Sequence, residues 1–287
     1  MKKTITFLLV LLTLCVCGQD RPAYKIFTKE GKSVEFEKMI RELTKADVVM
    51  FGEQHDNSID HWLELQVAKD LYAKNNNLTL GFEMFEADDQ LVLDEYVTGV
   101  IEERHLLSEA KVWDNYKNDY KPLIEFAKEK QLKAVATNVP RRYANLVYRK
   151  GIDALNELPS EAKRYIAPLP IEIDLELPGY KSMIASMSHG MPAGSGENIA
   201  RSQAVKDATM AHFLLANKGS NRFIHYNGSY HSKNFEGIVW YLKKGQPNLK
   251  VMTIHTVEQD SIDQLNADAV NSGDFIICVP KDMTKTY

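Results

Sequence analysis

Short apolar runs alternate with stretches of helical spacing along most of this chain, and that alternation limits its fold more than any other feature. Residues 47–52, 78–83, 133–137, 222–226, 249–254 and 274–279 are brief, apolar and bounded by polar turns, the pattern of buried strands. Between them, apolar side chains recur at three and four residues. Phe36, Met39, Ile40 and Leu43 form one stripe, and Leu63, Val67 and Leu71, with Trp62 and Leu65 on the other edge, form a second. Leu123, Phe126 and Ala127 mark a third helix, Val205, Ala208 and His212 a fourth, and Phe235, Ile238, Val239 and Leu242 a fifth. Strands that alternate with helices bury both faces of their sheet. The expected fold is therefore α/β, a mostly parallel sheet flanked by helices.

The middle of the chain departs from this rhythm. Residues 87–121 read as a helical, acidic insertion. Over 141–202 there is no clear strand, and Pro159, Pro168, Pro170 and Pro178 divide the segment into short pieces. A Met- and Gly-rich tract, 183–196, reads either as an apolar cover for a pocket or as a surface loop.

Lys2 and Lys3 precede a nearly unbroken apolar run, 5–16, which is shorter than the roughly 20 residues a spanning helix takes. This is the pattern of a secretory signal. Residues 1–18 are thus expected to be a signal peptide and 19–287 a single exported domain, periplasmic or associated with the outer membrane. Cys15 and Cys17 invite a lipid tether, but Leu14 and Val16 before them are not the small residue that lipoprotein processing needs. A cut after Gly18 suits ordinary processing better, and both outcomes stay open. After such a cut only Cys278 remains, in an apolar run, where it reads as a buried core thiol. The net charge of -4 gives no basic excess, so a nucleic-acid partner is not indicated.

Ligands of parallel α/β sheets bind beyond the carboxyl ends of the strands. The polar residues expected there are Glu53 and His55 after the first strand, Glu83 at the end of the second, Asn138 and Arg141 after the third, and His231 after the fourth. Glu53, His55, Glu83 and His231 are the candidate catalytic set. His61, in the first turn of the next helix, joins Asn138 and Arg141 as a candidate binding residue. Glu83 lies between Phe82 and Met84, where an unpaired carboxylate is costly to bury, so a cation, a metal or a histidine is expected beside it. Plainer roles stand beside these: a solvated turn for Glu53 and His55, a backbone hydrogen bond for Glu83, a helix cap for His231. His225, inside a strand, reads as a satisfied core histidine, and His105, His189, His212 and His255 have no evident partner. Two carboxylates with two or three imidazoles suit a divalent metal, or metal-free acid–base work with Glu53 or His55 activating water. There is no Gly-x-Ser-x-Gly elbow, His-Glu-x-x-His helix, phosphate-binding glycine loop or Cys-x-x-Cys-His haem attachment motif.

Read in order, Phe51-Gly52-Glu53-Gln54-His55-Asp56-Asn57 with His61, Gly81-Phe82-Glu83-Met84-Phe85, Gln90, Leu93-Asp94-Glu95-Tyr96 and Trp113 resemble motifs of the ChaN-type haem-binding lipoproteins. Tyr120-Lys121-Pro122-Leu123, Thr137-Asn138-Val139-Pro140-Arg141, Asp207-Ala208-Thr209-Met210-Ala211 and Gly228-Ser229-Tyr230-His231 continue the resemblance, which spans residues 46–242. The wider group includes erythromycin esterases and Tiki-type metalloproteases. Its shared Gly-x-x-His start, later Glu and late His correspond here to Gly52 and His55, Glu83, and His231. The resemblance implies non-covalent haem held through a tyrosine between paired subunits, in haem and iron uptake. Tyr120 and Tyr230 lie inside matched motifs, Tyr116 and Tyr226 are also open, and Arg141 would favour a phenolate. The hydrolase members imply an alternative: cleavage of an ester or peptide bond in a small-molecule or peptide substrate, with a divalent metal on His55, Glu83 and His231.

Overall fold

The computed structural model of the chain describes residues 21–187 and 194–287. The expected signal peptide, Cys15, Cys17 and His189 lie outside the described residues. Seven strands form one sheet: β1 (Lys25–Thr28), β2 (Val48–Glu53), β3 (Leu78–Glu86), β4 (Lys133–Asn138), β5 (Arg222–Gly228), β6 (Val251–Gln259) and β7 (Phe275–Pro280). Their order is β1-β7-β6-β2-β5-β3-β4. Every neighbouring pair is parallel except β1 with β7. The six apolar runs become β2 to β7, so the expected mostly parallel sheet is the observed one. The additional strand, β1, has only Ile26 and Phe27 buried, too brief a pattern to register in the sequence.

The helices are α1 (Phe36–Leu43), α2 (Ser58–Lys74), α3 (Gln90–Val97), α4 (Glu103–Glu109), α5 (Tyr116–Asp119), α6 (Lys121–Lys130), α7 (Arg141–Lys150), α8 (Ser160–Lys163), α9 (Pro178–Met187), α10 (Ser195–Lys218) and α11 (Ile238–Gly245). Among the described residues, none is long and apolar enough to cross a membrane. Residues 87–121 hold α3, α4 and α5. Residues 141–202 hold α7, α8, α9 and the start of α10, which begins earlier than its apolar stripe suggests.

Strand alternation sorts the core into two layers. Phe51 of β2, Phe82 of β3 and Tyr226 of β5 pack with Leu43 of α1, Leu63 of α2 and Leu123 of α6. Met50, beside Phe51, and Phe223, three residues before Tyr226, face the other way, against Met210 and Leu214 of α10 and Leu242 of α11. Val147 of α7 meets Val205 of α10 in a third cluster. Each such side chain contributes about 1.5–3 kcal/mol on burial, so this two-sided core is the main source of stability.

At its carboxyl edge the sheet forks. The pairing of β3 with β5 ends at Phe82 and Tyr226, whereas β5 stays with β2 as far as Gly228 opposite Glu53. On its other side, β3 bulges away from β4 between Phe82 and Glu86. The gap that opens between β3 and β5 is where the candidate site lies.

Candidate functional site

Two carboxylate–histidine networks meet at the fork, one on each face of the sheet. Glu53, two residues after Phe51, belongs to the face covered by α2 and α6. Asn57 caps α2 by accepting the backbone N–H groups of Ile59 (3.0 Å) and Asp60 (3.3 Å), which starts the helix directly beyond the loop. One turn on, His61 and Glu64 project back over the end of β2. Glu53 Oε1 accepts the Tyr120 hydroxyl at 2.8 Å and lies 2.5 Å from His55 Nδ1. Its Oε2 is 3.3 Å from His61 Nδ1, which in turn is 3.1 Å from Glu64 Oε2. The other nitrogen of His61, Nε2, is 3.0 Å from the His55 carbonyl oxygen. A carbonyl can only accept, so Nε2 carries a proton.

Glu53, Asp60, His61, Glu64 and Tyr120 are all buried. Burial alone would raise the Glu53 carboxyl, but the hydrogen bond from His55 and the charge of the adjacent His61 hold it well below the usual carboxylate range. Burial disfavours a charged His61, yet Glu53 and Glu64 outweigh it and push the imidazole up to about 12. Glu64 itself is raised by burial and by the charge of Glu53. Burial also raises Asp60 to about 8, against the hydrogen bond it receives from Gln54.

The second network begins at Glu83, one residue past Phe82 and therefore on the α10 face. Glu83 Oε2 accepts the Gly228 N–H at 2.8 Å, across the gap left by the fork. Its Oε1 is 3.2 Å from His231 Nε2, and His231 Nδ1 is 2.6 Å from Asp207 Oδ1. Asp207 Oδ2 accepts the Tyr180 hydroxyl at 2.6 Å. Four elements thus converge: β3, the short turn after β5, α10 and α9. The turn is fixed by Gly237, whose φ of 54° and the clash a Cβ would make with the His231 carbonyl oxygen exclude a side chain. Burial opposes ionisation of Glu83, but the charge of His231 overrides it and lowers the carboxyl to about 2. Burial likewise opposes charge on His231, and Glu83 with Asp207 raises it to about 10. The pair is an ion pair.

His55 joins the two networks. Its Nδ1 is held by Glu53, and its ring meets the edge of Trp113 with centroids 4.9 Å apart. Burial lowers its pKa, but the hydrogen bond it donates to Glu53 and the charges of Glu53 and Glu83 raise it overall. A cavity of about 400 Å³ opens here, walled by His55, Glu83, His231, Tyr230, Trp113 and Met183, with Asn138, Arg141 and Lys206 also facing it. A neighbouring cavity of about 750 Å³ shares Glu86, Trp113 and Arg141.

Asn138 donates to the Glu83 carbonyl at 3.0 Å, and Arg141 opens α7 at the exposed rim. Tyr230 is part-buried at the cavity, with its hydroxyl 3.8 Å from Met183 Sδ. Tyr120, by contrast, is fully buried on Glu53, and Tyr116 and Tyr226 are buried too. His225 sits 2.8 Å from Thr137 Oγ1 and 3.1 Å from Asn227 Oδ1, and burial lowers it to about 4, a neutral core histidine. Among the described residues, the acid and imidazole ligand atoms that gather within 4.8 Å of one another belong to Glu53, His61 and Glu64. His55, Glu83 and His231, the anticipated trio, are not among them.

Sequence reasoning did not single out Glu64, Asp207, Tyr180 or Lys206 for the site. A signal existed for two of them. Glu64 and Asp207 fall at the spacing of buried stripes, beside Leu63 and Val67 in α2 and beside Val205 and Ala208 in α10, where a carboxylate needs a partner.

The model of a family described as haem-binding uptake, Tiki superfamily, ChaN matches residues 39–242. The chloroplastic protein RETICULATA-RELATED 5 of Arabidopsis thaliana is 27% identical over 188 residues, covering 60% of this chain. The chain spans about 25% of the length of that curated relative. The solved structure of ChaN of Campylobacter jejuni, with its cofacial haem binding, has a TM-score of 0.65 at 20% identity and covers 88% of this chain and 96% of that one. At that identity the likeness is one of fold. An erythromycin esterase mutant in its open conformation matches with a TM-score of 0.47 at 11% identity, over 81% of this chain and 77% of the other.

Proposed function

Because the chain belongs to the ChaN haem-binding uptake family of the Tiki superfamily, we propose that it binds haem non-covalently in the cavity at the sheet fork, as an exported protein of haem and iron uptake. The observation that carries this reading is the placement of Tyr230. Of the two preferred tyrosines inside the family-like motifs, Tyr120 and Tyr230, it alone faces the cavity, whereas Tyr120 is sealed on Glu53. The walls suit the ligand. Trp113, Val139 and Met183 offer apolar and aromatic surface to a macrocycle, and Arg141 and Lys206 offer positive charge to propionates. Burial, with the charges of Asp207 and Glu236, pushes the Tyr230 phenol up, so the free protein holds it neutral. Ligation to iron through this oxygen would release that proton. Export rests on the sequence of residues 1–18, and a lipid tether and a paired arrangement of two copies follow from the family resemblance.

Titration of the purified full chain with haemin tests the proposal. The expected result is a saturable Soret shift that is lost in Tyr230→Phe and kept in Tyr120→Phe. A wild-type spectrum with no saturable shift overturns haem binding, and a shift retained in Tyr230→Phe overturns the assignment of the ligand.

The Glu83–His231–Asp207 alignment favours a second reading, hydrolysis of an ester or peptide bond. Glu53 is enclosed and holds His55 Nδ1, so in this reading His55 activates water and Glu53 orients it. Arg141 at the rim would receive an anionic substrate group. Turnover of small esters that disappears in His55→Gln and His231→Gln would establish this activity, and no turnover across an ester and peptide panel would end it.

A further inference from the structure

We infer that Glu53, His61 and Glu64 form a binding site for one divalent transition ion, Zn²⁺ being the best match, buried between the end of β2 and the first turns of α2. These residues line neither cavity, so the inference does not rest on the haem reading.

Geometry comes first. A tetrahedral zinc ion with ligand bonds of about 2.1 Å sets its donor atoms about 3.4 Å apart. His61 Nδ1 lies 3.3 Å from Glu53 Oε2 and 3.1 Å from Glu64 Oε2. Three ligand atoms, one from each residue, fall within 4.8 Å of one another. The imidazole is also oriented as a metal ligand. Its Nε2 proton is committed to the His55 carbonyl, with Asp119 Oδ2 at 3.6 Å, so Nδ1 is the nitrogen turned toward the two carboxylates. Metal-bound histidines characteristically donate their outer N–H to a carbonyl or carboxylate in this way.

Unsatisfied atoms point the same way. Glu53 Oε2 and Glu64 Oε1 are buried without a hydrogen-bond partner, and so is Asp60 Oδ1 nearby. Glu53 and Glu64 are 1% and 0% exposed. Buried carboxylate oxygens need a counter-charge or a donor, and a single proton on Nδ1 cannot serve both glutamates as well as a cation placed among them. The imidazole of His61 lies within 4 Å of three carboxylates, those of Glu53 (3.3 Å), Glu64 (3.1 Å) and Asp119 (3.6 Å). An ion here would pin α2 to β2. Through Glu53 Oε1 it would also fix the direction of His55, which reaches the cavity.

The test uses the full chain, dialysed against a chelator and then returned to Co²⁺ or Zn²⁺ alone. Expected are one ion per chain by elemental analysis, a cobalt ligand-field band of nitrogen–oxygen tetrahedral type, and a higher melting temperature with Zn²⁺. In Glu64→Gln the affinity should fall by more than the roughly tenfold to hundredfold that a lost outer partner costs. Glu83→Gln and His231→Gln should keep the ion. A chelated wild type that takes up no ion and melts unchanged overturns the inference, as does an ion lost in Glu83→Gln but kept in Glu64→Gln. Should Glu64→Gln fail to fold, the cobalt spectrum and stoichiometry of the wild type decide alone. Haemin titration of the same chelated protein keeps this result separate from the haem reading.

Discussion

His55 and Gly228 occupy complementary space: a Cβ on Gly228 would stand 2.6 Å from His55 Nε2. Gly228→Ala should therefore turn the imidazole away and break its 2.5 Å contact with Glu53. The expected cost is about 1–3 kcal/mol in urea unfolding, as for other insertions into packed space. A variant as stable as the wild type would show that His55 is free to move.

Asp207 should govern the protonation of His231. The imidazole, held near pH 10 by Glu83 and Asp207, is expected to titrate lower in Asp207→Asn, as followed by NMR. Linkage fixes the sign. A histidine raised from 6.5 to about 10 gives its full stability below pH 6.5 and loses it as pH rises through about 10. Glu83, lowered from 4.5 to about 2, gives its full share above pH 4.5 and loses it as pH falls through about 2. Urea unfolding free energies should therefore fall on the alkaline side in the wild type and fall less in His231→Gln.

His225 and His255 act on the acid side. Burial lowers both from 6.5 to about 4, so below pH 6.5 the unfolded chain binds protons that the folded chain does not. Stability should drop as pH falls from 6.5 toward 4. His255→Asn should flatten that slope, and an unchanged slope would remove His255 as a cause.

Tyr120→Phe removes a donor from a buried, ionised Glu53. Hydrogen bonds to charged groups contribute about 1.5–3 kcal/mol, and a loss of that size in urea unfolding is expected. A neutral effect would mean that His55 Nδ1 alone satisfies Glu53 Oε1.

Arg141 is exposed at the rim of both cavities. Arg141→Ala should leave stability within about 0.5 kcal/mol. Haemin affinity should weaken by up to about fivefold, the equivalent of about 1 kcal/mol for an exposed charge pair. Equal affinities would place the propionates elsewhere.

The sheet was legible because each central strand is apolar on both faces, leaving runs such as Val48 to Phe51 with no polar gap. For β1 that signal is missing, since only Ile26 and Phe27 are buried. α7 and α9 were hidden because they bury only short stretches, such as Ala144 and Val147 in α7 and Tyr180 in α9, against α10. Following each strand to its end located Glu53, His55, Glu83 and His231, but only as one group. Their division into two networks depends on which face Phe51 and Phe82 share, a matter of register between distant strands. The partners Glu64 and Asp207 come from helices, whose rotation over the sheet is set by packing and not by local sequence.

The fork in the sheet makes the last rung of the β-ladder part of the site. Where a backbone carbonyl of β3 would have received the Gly228 N–H, a titratable side chain receives it. The backbone amide of residue 228 is thereby a built-in gauge of the site. Any ligand or proton that draws Glu83 away loosens that amide, and its rate of exchange with solvent registers the event from within the fold.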